Sequence, residues 1–324
     1  MRVVMGSDSS VVTRLGALLG LSAWPDDGPL DARGLGMSEF GFTPSTTVPS
    51  VFHPSDFSEA SEIAFAHALK IALVSGATLH MLHVSDQSRL RWEEFPGVRA
   101  TLERWGLIPG GSPRSVVTRL GINVRKVVTR DHDAVKASLR FLARHPADVI
   151  VLAVHQRDGR MRWFQKSVGK PIARRSGQIA LFVPSGVEGF VSRATGAVSL
   201  RNILIPITQK PSPQPALDAV ARFVRNLQLA DGTATLLHVG GAVDAPAVRC
   251  PDVPGWTWRR MTIPGDPVDR ILQVAGDITA DLIVMTTDGP DGFLDGLRGT
   301  TSAHVLNRAH CPVANLPVGA RLAA

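Results

Sequence analysis

Short apolar runs rich in β-branched residues alternate along this chain with helix-length, alanine-rich segments. The runs VIVLAV from Val149 and LIVM from Leu282 are apolar at every position rather than every second one, which marks strands covered on both faces. Ser58 precedes EASEIAFAHALKIALVSG, where Ile63, Ala66, Ala68 and Ile71 predict a helix that Gly76 terminates. A further helix is predicted near Val98 to Trp105. Buried strands alternating with helices imply a parallel α/β sheet.

The pattern occurs twice. VFHPSDFSEAS at 51–61 is matched by ILIPITQKPSP at 203–213, GATLHMLHV ending at Val84 by GTATLLHVG around Val239, and ADVIVLAVH from Ala147 by ADLIVMTTD from Ala280. Three ordered matches identify an internal repeat. The copies lie 152 positions apart at Pro54 and Pro206, 155 at His83 and His238, and 133 at Asp148 and Asp281. The second copy therefore lacks about 22 residues, where GGAVDAPAVRCPDVPG, too rich in Gly and Pro for a helix, replaces the extra helix. The expected organisation is an N-terminal segment 1–48, a first domain 49–185, a connection 186–200, a second domain 201–319 and a tail 320–324. Residues 1–48 resemble nothing in the second copy. They read either as a flexible arm, with one short helix around Val11 to Leu19, or as an over-extended reading frame with Met37 as the alternative start.

Composition narrows the class. With 44% hydrophobic and 19% charged residues, and no apolar run near the roughly 18 residues of a membrane span, the expectation is a soluble cytoplasmic protein without membrane attachment. Arg14 interrupts the apolar N-terminal stretch, which argues against a secretory signal. Cys250 and Cys311 are the only cysteines and read as free thiols. The net charge of +7 is concentrated: Gly111 to Ser185 carries 15 Lys or Arg against 4 Asp or Glu, leaving the rest at −4. A solvated basic face or an anion-binding surface accounts for this; without zinc-finger or RNA-recognition spacing, nucleic acid is not the expected partner. His80 and His83, three apart in a strand, fall on opposite faces and read as structural rather than as a metal pair. No arrangement of nucleophile, base and orienting group is recognisable, so the chain reads as non-enzymatic, weak ATP hydrolysis aside.

Ligands of open parallel sheets bind beyond the carboxyl ends of the strands, at the switch in strand order. There the second copy has Gly289, nine residues, then Gly299 and Thr300 opening a helix, an arrangement that offers a phosphate free N–H groups and a helix dipole. With HCPV at 310–313, GDPVDRILQVA at 265–275, ADLIVM at 280–285 and DFSEAS at 56–61, the chain resembles a tandem universal stress protein over residues 50–319. The resemblance implies two tandem open parallel five-stranded α/β domains, Rossmann-like and similar to the adenine-nucleotide alpha-hydrolases, packed as an internal pseudo-dimer. It also implies ATP or a related adenine nucleotide as ligand, with Mg²⁺ accompanying it, at Pro206, Thr208, Val239, Met285, Thr286, Gly289, Gly299, Thr300 and Thr301 of the second domain.

Each copy departs from the family pattern differently. In the second, Thr286 replaces the motif's first glycine and Thr208 the aspartate after the first strand, while Asp288, Asp291 and Asp295 against Arg298 place a charge of −2 in the loop. Those aspartates read as a solvated turn or as a bridge through a divalent cation. In the first, Asp56 and Ser167 are retained, but Ala153, Gln156 and Lys166 replace the three glycines. Arg157, Arg160, Arg162 and Lys166 against Asp158 make that loop +3, either an exposed basic loop or a side-chain anion site with Trp163 available for stacking. The expected function is a stress-response protein with a regulatory adenine nucleotide in its second domain, or else a nucleotide-independent scaffold acting through the basic face of the first. Protein partners or self-association are expected in either case, with salt-sensitive pairing of the basic and acidic loops as one route.

Overall fold

Ser58 Oγ accepts the Ser61 N–H at 3.1 Å, and Gly76 closes the last turn in the left-handed conformation with its N–H on Ala72 O, so the predicted helix runs Glu59–Ser75 (α1). A computed structural model of the chain describes residues 48–85, 95–154, 168–288 and 301–319; the predicted N-terminal helix lies outside them. The first repeat runs β1 (Ser50–Pro54), α1, β2 (Thr78–Ser85), α2 (Val98–Arg104), α3 (Ser115–Arg119), β3 (Asn123–Arg130), α4 (Ala134–Arg144), β4 (Val149–Val154), α5 (Gly169–Ser176) and β5 (Ile179–Pro184). The second follows as β6 (Asn202–Pro206), α6 (Gln214–Asn226), β7 (Gly232–Val239), β8 (Trp256–Ile263), α7 (Pro267–Asp277), β9 (Leu282–Thr287), α8 (Thr301–Arg308) and β10 (Val313–Pro317). Only a short 3₁₀ turn, Ala242–Asp244, stands where the first repeat has α2 and α3.

The two repeats form one sheet, in the order β3-β2-β1-β4-β5-β10-β9-β6-β7-β8. Every pairing is parallel except β5–β10. Leu181 there faces Ala314, its own counterpart at the 133-residue offset, while Ala180 faces Asn315 and Phe182 faces Val313. The register is thus symmetric about Leu181 and Ala314, and the repeats are related by a pseudo-twofold. The expected pseudo-dimer is a fusion of sheets, so the apolar cores follow the faces of the sheet rather than the repeats. One core holds α1, α2, α6 and alternate strand residues such as Val51, Val151, Ile205 and Val284. The other holds α4, α5, α7 and α8 with Phe52, Leu152, Leu204 and Met285. The alternation within VIVLAV, Ile150 and Leu152 to one core and Val151 to the other, is the double coverage its composition predicts.

The connection between repeats is built into the first core. Phe190, Val191 and Leu200 are buried, and the N–H groups of Phe190 and Val191 donate to Nε2 of His67 at 3.1 and 3.3 Å. His67 donates from Nδ1 to Ile63 O at 2.9 Å, a tautomer set by this network. Gly189 is required there: its φ is +75°, and a Cβ would lie 2.5 Å from His67 Nε2.

Burial lowers the pKa of His53, His67 and His80 from the usual 6.5 to about 4, despite the carbonyl partners of His53 and His67. As pH falls, the unfolded chain therefore takes up these protons first; their contribution to stability is full above pH 6.5 and lost towards pH 4. Urea unfolding should show stability falling by about 2 kcal/mol for each of His53 and His67 between pH 7 and pH 5, and His67→Asn should flatten that slope. A stability independent of pH over this range would contradict the neutral, buried state.

Candidate functional site

The switch in strand order falls between β1 and β4 in the first repeat and between β6 and β9 in the second. In both, a carboxylate aligns the strands that form it. Asp148 Oδ2 accepts the Ser50 N–H at 2.7 Å, and Asp281 Oδ2 accepts the N–H groups of Arg201 and Asn202 at 2.7 and 2.8 Å. In return Ser50 O and Asn202 O accept the N–H groups of Asp148 and Asp281, each at 2.8 Å. Both aspartates served in the sequence only as repeat markers; their recurrence after alanine before an apolar run was the available signal. The histidines repeat as well: His83 Nδ1 lies 2.7 Å from Ser55 O and His238 Nδ1 3.3 Å from Ile207 O.

At the carboxyl ends of the second repeat, Pro206 pairs with Leu237, and β6 pairs with β9 through Ile203–Leu282 and Leu204–Ile283. That register sets Pro206 level with Met285, and Thr208 level with Val239 at the end of β7. Pro206, Val239 and Met285 fall on the face shared with Leu204, Leu237 and Ile283, the face covered by α7 and α8. Pro206 and Val239 are half-buried, Met285 is buried, and Thr208 and Asp288 are exposed. Thr286 belongs by parity to the opposite face, against β10 at Leu316. Thr301 opens α8, whose Val305 and Leu306 return it to the same core as Met285. Gly289, Gly299, Thr300, Asp291, Asp295 and Arg298 lie outside the described residues. The loop after β6 is tied down where Gln209 Nε2 donates to Asp244 O at 3.3 Å.

The first repeat presents Pro54, Val84 and Leu152 at the matching places, but its details differ. Asp56 Oδ1 accepts both the N–H and the Oγ–H of Ser58, at 3.0 and 2.6 Å, so the retained carboxylate serves the turn that caps α1. Phe57, at φ 63°, stacks on His83 with ring centres 4.0 Å apart. At Gly169, which opens α5 beside β4, a Cβ would sit at ordinary contact distance, 3.4 Å from Leu152 Cβ and 3.5 Å from Ala153 O. Ser302, which is buried, occupies the equivalent position in α8. Ser167, Gln156, Lys166, the basic loop 157–162 and Trp163 lie outside the described residues.

Other sequence expectations are placed directly. His80 and His83 point to opposite faces, His80 towards Phe141 and His145 and His83 towards Phe57. Cys311 is buried, which pushes its thiol pKa up to about 12, while Cys250 is half-buried. Among the described residues no helix is long and apolar enough to cross a membrane.

The model of the Universal stress protein family matches residues 51–184 and 251–317, together more than half of the chain. The chain belongs to the universal stress protein family. Among solved structures, a universal stress protein from Archaeoglobus fulgidus DSM 4304 matches with a TM-score of 0.55 at 17% identity, over 83% of this chain and 98% of its own. A putative universal stress protein from Pseudomonas aeruginosa UCBPP-PA14 matches with a TM-score of 0.52 at 12% identity, over 83% and 93%. At these identities the likeness is one of fold, and it extends across both repeats of the tandem stress protein. Comparison with curated proteins gives no match.

Removing the strand-aligning carboxylates should destabilise the sheet at its two switch points. Asp281→Ala leaves two N–H groups without their acceptor and is expected to cost about 2–3 kcal/mol in urea unfolding, against about 1–2 kcal/mol for Asp148→Ala with one. Equal and negligible costs would show that these bonds do not set the strand register.

Proposed function

We propose that this chain is a non-enzymatic stress-response protein whose second repeat binds an adenine nucleotide as a regulatory ligand. The observation that carries the reading is the alignment of Pro206, Val239 and Met285 on one face at the carboxyl ends of three adjacent strands, beside the entry of α8. Apolar side chains there suit a purine ring, and the run from Gly289 to Thr301 suits phosphates, through backbone N–H groups and the positive end of the helix dipole. Thr208 and Asp288, both exposed, stand at the rim for the ribose and for a phosphate-bound Mg²⁺. The first repeat is the poorer candidate. Its Asp56 is committed to Ser58, and Ala153, Gln156 and Lys166 stand in place of the glycines of a phosphate cradle. Binding acts by preferring one arrangement of the site loops over another, which a protein partner then reads.

The nucleotide-independent reading keeps one specific support. Arg144, Arg174 and Arg175, at the ends of α4 and α5, are exposed and make no ion pair among the described residues, so the first repeat offers a basic surface to a partner.

Calorimetric titration of ATP, with and without Mg²⁺, into the full chain separates the two. Saturable binding with one site is expected, weakened at least tenfold by Gly299→Lys and strengthened about tenfold by Thr286→Gly combined with Thr208→Asp, which restore the family's backbone freedom and carboxylate. No heat of binding in any of the three proteins would retire the nucleotide and leave the partner surface.

A further inference from the structure

The amino end of the first repeat's sheet holds a cavity of about 570 Å³, away from that repeat's carboxyl-end switch point. Its walls come from the starts of β1 to β5 and the end of α4, with the exposed Arg125, Arg144 and His145 around its mouth and His80, Gln178 and Ser50 further in. His80 is 7% exposed, its ring stacked 5.7 Å from that of His145 and edge-on to Phe141. Among the described residues, His80 Nδ1, Gln178 Oε1 and Ser50 Oγ are buried without a hydrogen-bond partner. A single orphaned group is tolerable, but three around one cavity call for an explanation, since buried polar atoms are nearly always paired.

Charge indicates what would pair them. Arg125 and Arg144 line the opening against one carboxylate, Asp148, whose Oδ2 already accepts the Ser50 N–H at 2.7 Å. His80 adds no charge at neutral pH, because burial and the neighbouring His145 and Arg125 disfavour its protonation. It therefore offers one ring nitrogen as donor and the other as acceptor. The lining is thus net positive, with neutral donors and acceptors deeper inside.

The fold itself does not demand this set. At the same corner of the second repeat, Thr235 takes the place of His80 and pairs with Arg259 as His80 pairs with Arg125. Ile278, Asp277 and Cys311 stand where the first repeat has His145, Arg144 and Gln178. The second repeat folds with no imidazole there and with a carboxylate in place of an arginine.

We propose that this cavity binds a small hydroxylated oxyanion, with Arg125 and Arg144 on its charged group and His80, Gln178 and Ser50 on its hydroxyls. The volume suits a metabolite of a few carbons to nucleoside size. The site is separate from the nucleotide face and does not depend on that reading.

The test is NMR of the full chain with ¹³C-labelled histidine rings, the His80 and His145 signals assigned with His80→Asn and His145→Asn variants. The probes are 3-phosphoglycerate, glycerate, glycerol phosphate and inorganic phosphate, which distinguish a carboxylate from a phosphate as the recognised group. At least one hydroxylated probe is expected to shift both ring signals saturably below millimolar concentration. Arg144→Gln and Arg125→Gln, both at exposed positions, should each weaken that binding about tenfold with the thermal midpoint unchanged. No saturable shift with any probe would overturn the proposal. So would a shift confined to the exposed His145, which a surface anion reaches without entering, or one undiminished in both arginine variants.

Discussion

The antiparallel contact between β5 and β10 is the constraint on which the rest of this structure depends. It joins two parallel five-stranded sheets into one, and it removes the two strand edges that separate repeats would leave open. The remaining edges, β3 and β8, carry Arg125, Lys126 and Arg130 and Arg259 and Arg260, charges that discourage further pairing. Because the join is symmetric about Leu181 and Ala314, the strands of the two repeats run in opposite directions. The carboxyl ends of the second repeat consequently share one end of the sheet with the amino ends of the first. The proposed nucleotide face and the polar cavity at His80 therefore open at the same end, about five strand spacings, on the order of 25 Å, apart.

Fusion also frees the repeats to diverge. Both keep what the sheet requires: the carboxylates of Asp148 and Asp281 on the first strand, and His83 and His238 on the carbonyl beyond it. They differ around the carboxyl ends of the strands. Asp56 is part of a helix cap, whereas Thr208 is exposed; Gly169 opens α5, whereas the buried Ser302 stands at the matching place in α8. The connection that carries the chain across is equally specialised, since His67 of the first repeat accepts two of its N–H groups and leaves no room for a side chain at residue 189.

Much of this was legible in the sequence because it rests on local pattern. Double-sided apolar runs gave the buried strands, Ser58 and Gly76 gave the ends of α1, and three ordered matches gave the repeat and its missing helix. What was not legible depends on pairing across long separations. Nothing in SGVEGFVSRATGAVSL announces that Phe190 and Val191 bond to a histidine more than 120 residues earlier. Likewise His80 and His145, which read separately as a strand residue and a helix end, form a stacked pair only because β2 lies under the end of α4. The family resemblance named the candidate residues of the second repeat, and the structure adds that Pro206, Val239 and Met285 share a face while Thr286 by parity does not.

The most direct test of the account is photolabelling of the full chain with 8-azido-ATP, followed by mapping of the modified peptides, with unlabelled ATP as competitor. The account predicts competable labelling in the second repeat, on peptides holding Val239 or Met285. Labelling on the first repeat's Val84 or Leu152 peptides, or labelling that ATP does not displace, would contradict it.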